Sequence, residues 1–266
     1  EIREEVPGAV AVLDTKIEDA RPKIKMIKDQ GFKVEVAESK LAEAESKIAE
    51  AQKAIAEKRF FAASDFEREA VDMIANATAL AADLPDKKLV LEKKTALLES
   101  RIEQTKAAII AAGEVFDAIE TTYAEDSYES IVGNGTESEK RVSQAIDLLE
   151  RTQSSISMET QHWATADHSL TEADDTLDQA DSFIRSIHAL KQSLDQAKAS
   201  AAVEVNQTFE VLQKAAVYLQ ENQADIKGQY RDDLEKAQEI LGRAEAELAE
   251  TRPNYLLAVK LADQSE

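Results

Sequence analysis

Few residues in this sequence have the types and the spacing that chemistry requires. Glu159-x-x-His162 has the spacing that places two metal ligands on one face of a helix. A carboxylate-bridged di-iron centre needs a second such pair and two further Glu residues. The sequence has three His residues, and neither of the other two follows a Glu at that offset. The sequence therefore predicts no metal site and no cofactor.

Motifs for catalysis are missing as well. The chain has no Gly-rich phosphate loop, no Gly-x-Ser-x-Gly nucleophile turn and no His-Glu-x-x-His zinc motif. It has no Cys, which excludes disulfides, thiolate nucleophiles and Cys-ligated metals. We therefore predict no catalytic residues, that is, a protein that is not an enzyme.

One stretch of the chain concentrates negative charge. Residues 152–184 contain no Lys or Arg, whereas positive charges are interspersed elsewhere. Like charges three or four positions apart on a helix repel one another. Either these carboxylates form a solvated surface, or they bind a basic partner or divalent cations. We name six of them the acidic face: Asp167, Glu172, Asp174, Asp175, Asp178 and Asp181.

The chain as a whole is acidic, with 53 Asp and Glu against 32 Lys and Arg, a formal charge of −21. Such a surface repels phosphate backbones and anionic lipid headgroups, which disfavours nucleic acid binding. There is no run of about 18 apolar residues that could insert into a membrane. The predicted partner is therefore another protein, with charge favouring a basic one, and self-association stays open.

Long helices are the elements predicted to position these residues. The segment Asp86–Tyr123 has no Pro, and its apolar positions recur at alternating spacings of three and four. This spacing places them along one side of a helix, where they must be buried against other helices. The composition, rich in Ala, Leu, Glu and Lys with 5% aromatics, is also typical of long helices. The seam consists of Leu91, Leu98, Ile102, Thr105, Ile109, Ala112, Phe116, Ile119 and Tyr123.

Breaks in the seams predict the organisation of an all-α chain. Pro22 predicts a kink in the first helix, and Pro85 predicts an end between two helices. The predicted parts are a lead-in helix over 1–33, a first three-helix unit over 34–123, a loop over 124–135, a second three-helix unit over 136–228 and an incomplete third unit over 229–266.

An internal repeat points to the architecture. The pattern aromatic-x-x-Ala recurs at intervals of 103 and 92 residues, where the aromatic side chains are expected to close the ends of helical bundles. A unit of about 100 residues with three helices resembles a spectrin repeat. This resemblance implies elongated, tandem three-helix bundles of the antiparallel coiled-coil type. The three copies are Phe60-x-x-Ala63, Trp163-x-x-Ala166 and Tyr255-x-x-Ala258.

A second resemblance is carried by two segments of low complexity. They are Val6-Pro7-Gly8-Ala9-Val10-x-x-Leu13 and, after Tyr123, Ser127-Tyr128-Glu129-Ser130-Ile131-Val132-Gly133-Asn134. Both are similar to the Ala/Glu-rich helical region that follows the TPM domain in some bacterial secreted or membrane-attached proteins. The TPM domain, to which phosphatase activity has been attributed, is absent from this sequence, so no catalytic residue is implied. The resemblance implies a bacterial helical stalk and favours a secreted or cell-surface location over the cytoplasm.

Together these observations predict a non-enzymatic structural or scaffold protein. Its expected role is that of an elongated helical stalk or spacer that mediates protein–protein interaction. The alternative is a helical-bundle protein that binds a small ligand or cargo between its helices. Regular seams filled by Ala, Leu and Ile are expected to leave little room for such a pocket.

Overall fold

The computed structural model describes residues 2–222 and 228–266. Over these residues the chain forms seven α-helices, two short 3-10 helices (Glu125–Ser127 and Glu129–Ile131) and no strand. The prediction of an all-α protein is confirmed. The α-helices are α1 (Ile2–Asp29), α2 (Glu35–Ala56), α3 (Phe60–Thr122), α4 (Asn134–Ser155), α5 (Trp163–Glu221), α6 (Gln229–Leu248) and α7 (Tyr255–Ser265).

The seam predicted in α3 is the face that this helix buries. Seven of its nine residues are buried, and the other two, Ile109 and Phe116, are half-buried. Full burial of a Leu or Ile side chain contributes about 1.5–3 kcal/mol of transfer free energy. The hydrophobic spacing therefore explains both why α3 is a helix and which side of it packs.

The helix end predicted at Pro85 is wrong, whereas the kink predicted at Pro22 stays a prediction. The helix α3 continues through Pro85, and α1 contains both Pro7 and Pro22. A Pro inside a helix removes one N–H donor and costs about 3 kcal/mol. Burial of apolar side chains on either side of Pro85 compensates for this energetic cost, since Ala81 and Leu91 are both buried. The predicted range 34–123 consequently holds two helices rather than three.

The connection predicted over 124–135 is structured. It contains the two 3-10 helices, and α4 already begins at Asn134. Tyr128 and Ile131 of this connection are buried in the core. Gly133 has φ +86°, a left-handed conformation that favours Gly and that ends the connection before α4.

The chain divides into two compact units that are each discontinuous in sequence. Unit 1 consists of Glu1–Glu99 and Asp147–Glu172, and unit 2 of Ser100–Ile146 and Ala173–Glu266. The helices α3, α4 and α5 therefore each contribute residues to both units. The predicted domain boundaries follow continuous segments and stay a prediction.

The core of unit 1 is formed by α1, α2 and the first part of α3. The helix α1, predicted as a lead-in, contributes seven buried residues to this core. Trp163 packs against the same core as a half-buried side chain, with its ring centroid 6.4 Å from that of Phe32. The seven residues of α1 are Val6, Val10, Leu13, Ile17, Ala20, Ile24 and Ile27.

Unit 2 contains two hydrophobic clusters. In the first, Ile119 of α3 and Tyr123, which directly follows α3, share a cluster with Ile187 of α5 and with the 3-10 connection. In the second, the later part of α5 packs with α6 and α7 through residues that include Leu212 and Leu241. Each cluster thus joins segments that are distant in sequence.

The internal repeat marks helix starts. The first residues of α3, α5 and α7 are Phe60, Trp163 and Tyr255, the three aromatic positions of the repeat. The Ala three positions after each aromatic residue is fully buried. The repeated pattern therefore corresponds to a repeated local structure, a half-buried aromatic side chain that begins a helix, followed by a buried Ala.

Candidate functional site

The acidic face lies on α5, outside the buried seam of that helix. Five of its six carboxylates are exposed and Asp181 is half-buried. Apolar residues at spacings of three and four are buried along this stretch, together with Ser169 and Thr176, so the carboxylates occupy the remaining surface. The buried apolar residues are Leu170, Ala173, Leu177, Ala180 and Ile184.

Arg101 of α3 binds three carboxylates of the acidic face within unit 2. Its Nη1 donates a hydrogen bond to Asp174, and its Nη2 donates to Asp178 at 2.5 Å and to Asp181 at 3.0 Å. The Thr105 hydroxyl donates to the second oxygen of Asp181 at 3.3 Å. The fan of N–H groups on a guanidinium suits such multiple contacts. Arg101 therefore connects α3 to α5.

The charge of Arg101 is secured by these contacts. Partial burial by itself lowers the pKa of the guanidinium, because it removes water from the charged form. The hydrogen bonds from Arg101 to Asp178, Asp181 and Asp174 outweigh that effect and raise the pKa above its ordinary value. The cation is therefore permanent, and its contacts with the carboxylates depend on the carboxylates staying ionised.

Cations from another helix bind carboxylates of the acidic face, although residues 152–184 themselves contain no Lys or Arg. Besides Arg101, Lys94 pairs with Asp167 in unit 1 at 2.6 Å. Both cations come from α3, and 73 or more positions separate them from the carboxylates that they bind, so the local pattern could not show them. Among the described residues, Asp175 makes no ion pair. Cations of α3 therefore offset part of the repulsion within the acidic face, and its binding of a basic partner stays a prediction.

Tyr123 is the largest fully buried side chain, and its hydroxyl has a charged partner. The Tyr123 hydroxyl donates to Asp195 at 2.5 Å, and the Lys191 ammonium donates to both oxygens of the same carboxylate. Burial raises the pKa of Tyr123, and the hydrogen bond to Asp195 raises it further. Hydrogen bonds from Lys191 and then from Tyr123 lower the pKa of Asp195.

We expect Tyr123→Phe to change how stability depends on alkaline pH. An unfolded Tyr ionises at about pH 10, whereas the raised pKa keeps folded Tyr123 protonated above that pH. The wild type should therefore lose stability as the pH rises above about 10, and the variant should lose less. At neutral pH the variant should be about 1 kcal/mol less stable, because one hydrogen bond is lost.

Urea unfolding of both proteins across this pH range measures the difference. Tyr218→Phe is the matched control, because Tyr218 is 63% exposed. This variant should lose stability at alkaline pH as the wild type does. A stability difference between wild type and Tyr123→Phe that stays constant from neutral to alkaline pH would contradict the assignment.

Gln161 is a structural residue that the sequence analysis missed. Its side-chain amide donates to the carbonyl oxygens of Gly31 and Met158, each at 2.7 Å, and its Oε1 accepts from the Lys33 N–H at 2.8 Å. Gln161 also has φ +53°, a conformation that non-Gly residues rarely adopt. In unit 1 it joins the α1–α2 connection to the α4–α5 connection. No local pattern signals such a contact across 128 residues.

The Glu159-x-x-His162 pair lies in the connection between α4 and α5 rather than on a helix. Both side chains are exposed there. The helical geometry that made the pair a candidate metal site therefore does not apply. No group of three or more potential metal ligands is found in the described part of the chain.

A surface groove of about 890 Å³ lies beside Trp163 in unit 1. It runs between the middle of α3, with Asp83, Lys87 and Val90, and the start of α5, with Ala164. The regular seams predicted little room between the helices, whereas this groove provides a space of that kind. Most of these lining residues are exposed, while Trp163 is half-buried and Leu91 is buried.

No described helix combines the length and the apolar character that crossing a membrane would require. Comparison of the chain with protein-family models, with curated proteins and with solved structures found no match.

Proposed function

We propose that this chain is a non-enzymatic structural protein, an elongated helical scaffold or spacer that mediates protein–protein contacts. In this proposal its helices form tandem three-helix bundles of the spectrin type. A protein partner is favoured, since the charge of −21 opposes nucleic acid and anionic membranes. The resemblance to the helical region of TPM-domain proteins favours an extracytoplasmic setting.

The observation that carries this proposal is the repeated helix start. An aromatic residue begins α3, α5 and α7, and each is followed three positions later by a buried Ala. Repetition of one supersecondary unit is typical of proteins built by stacking similar modules. Contacts between helices also support a structural role, since Arg101 of α3 binds three carboxylates of α5.

Small-angle scattering tests the proposed architecture. A compact chain of 266 residues has a radius of gyration of about 18 Å. We expect a value well above this for the dilute protein, because stacked modules extend along an axis. A globular protein of similar mass, measured in the same buffer, is the control. A radius close to the compact value would refute the spacer role.

Binding of a small ligand or cargo is the second candidate function, and the groove beside Trp163 is the observation that favours it. Its volume of about 890 Å³ lies within the range of ligand pockets. We place it second because Asp83, Lys87 and Val90 in its lining are exposed, whereas ligand pockets bury most of the ligand surface.

A further inference from the structure

The groove beside Trp163 is formed by two internal segments of unit 1, residues 83–91 and 161–167. It lies near Phe32, whose ring packs on that of Trp163 just after the last turn of α1. With 28 residues, α1 is about 42 Å long, so the first residues of the chain are distant from the groove. The shape of the groove therefore does not depend on where the chain begins.

The side of the groove next to α5 is held in place by contacts with the rest of unit 1. The buried side chain of Gln161 donates to two backbone carbonyl oxygens and accepts from one backbone N–H of the neighbouring connections. Trp163 packs against the hydrophobic core of the unit. A ligand that binds here therefore has little of the site to order, which lowers the entropic cost of binding.

Apolar side chains form one part of the lining. They are those of Val90, Leu91, Trp163 and Ala164. Trp is the side chain that attracts organic cations most strongly, because the face of its ring carries partial negative charge. The lining can therefore cover the apolar part of a ligand and, at Trp163, favours one with a positive charge.

The charged residues of the lining also favour a positive ligand. They are three carboxylates, Asp83, Asp86 and Asp167, against one ammonium, Lys87, a formal charge of −2. Lys87 pairs with Asp83 at 3.4 Å, and Lys94, outside the lining, pairs with Asp167 at 2.6 Å. Asp86 is exposed and makes no ion pair among the described residues. One carboxylate of the groove therefore has no counter-charge, in a chain whose overall charge of −21 also attracts cations.

We propose that this groove binds a small organic cation with an apolar body, such as a substituted quaternary ammonium ion. The apolar body contacts Leu91 and Trp163, and the positive charge lies near Asp86. An open groove suits such a ligand, because its charged end keeps part of its water while its apolar part is covered. This inference names the ligand class for the second candidate function and rests on that function, not on the spacer role.

Benzyltrimethylammonium is the probe, because it joins an apolar ring to a permanent positive charge. Shifts of backbone amide signals in 15N–1H NMR spectra of the full chain detect weak binding and report where it occurs. We expect saturable shifts at residues 83–91 and 161–167, with a dissociation constant of about 1–10 mM for so small a ligand. Phenylmethanesulfonate, an anion of similar size, should bind about tenfold more weakly or less.

Asp86→Lys should weaken binding of benzyltrimethylammonium about fivefold or more, because it replaces the unpaired carboxylate by a like charge. Asp72→Lys is the matched control. Asp72 lies on the same helix in the same unit, is exposed, makes no ion pair among the described residues and is outside the groove. Both variants change the net charge equally, so only the position of the charge differs between them. The spectra without ligand verify that both variants keep the fold.

Equal weakening in the two variants would overturn the inference, because the overall charge rather than the groove would then attract the cation. Tighter binding of phenylmethanesulfonate or of neutral benzyl alcohol would overturn the ligand class and leave ligand binding in the groove standing. If none of the three probes shifts the lining residues, the second candidate function fails together with the inference. Compact scattering refutes the spacer role alone, so these failures are distinguishable.

Discussion

Ile119→Asp is expected to be the most destabilising single substitution considered for unit 2. Ile119 is fully buried in the cluster that joins α3, the 3-10 connection and α5. Removing its side chain costs about 2–5 kcal/mol, and an unpaired carboxylate at the same place adds a desolvation penalty. We expect the melting temperature, followed by far-UV circular dichroism, to fall by about 10 °C or more.

The same substitution at Ile110 is the matched control. Ile110 lies on the same helix in the same unit but is 69% exposed. Ile110→Asp should change the free energy of unfolding by no more than about 0.5 kcal/mol. Equal losses for the two variants would show that the buried side of α3 is assigned incorrectly.

Arg101→Met should destabilise unit 2 by about 1–2 kcal/mol. The substitution removes three ion pairs, each worth about 0.2–1 kcal/mol when water screens it, and leaves three carboxylates facing one another. The loss should shrink at high salt, because mobile ions screen both the pairs and the remaining repulsion. Urea unfolding at low and at high salt measures both effects.

Arg185→Met is the control that distinguishes the loss of the Arg101 ion pairs from the general loss of one positive charge. Arg185 is exposed on α5 and makes no ion pair in the described part of the chain. Its replacement should therefore have little effect at either salt concentration. Similar losses for Arg101→Met and Arg185→Met would mean that net charge, rather than the contacts of Arg101, determines the stability change.

The sequence was sufficient for the features that depend on local spacing. The buried seam of α3 follows from apolar residues three and four positions apart. The error at Pro85 has a different origin. The rule for Pro is local, whereas the packing that compensates for it comes from helices elsewhere in the chain.

The candidate site could not be predicted for the same physical reason. The acidic residues are visible in the sequence, but the ion pairs that Arg101 forms with three of them join positions that are 73 to 80 residues apart. The side-chain amide of Gln161 likewise donates a hydrogen bond to the carbonyl oxygen of Gly31, 130 positions away. Such contacts depend on how helices that are distant in sequence pack against one another. No periodicity within one helix encodes that packing.

The position of Trp163 gives the molecule a built-in optical reporter. It is the sole Trp of the chain, and it lies in unit 1, packed against that unit's core. Its fluorescence therefore follows unit 1, whereas circular dichroism records all helices together. Since α3 and α5 supply residues to both units, comparing the two signals in Ile119→Asp would show whether melting of one unit spreads through shared helices to the other.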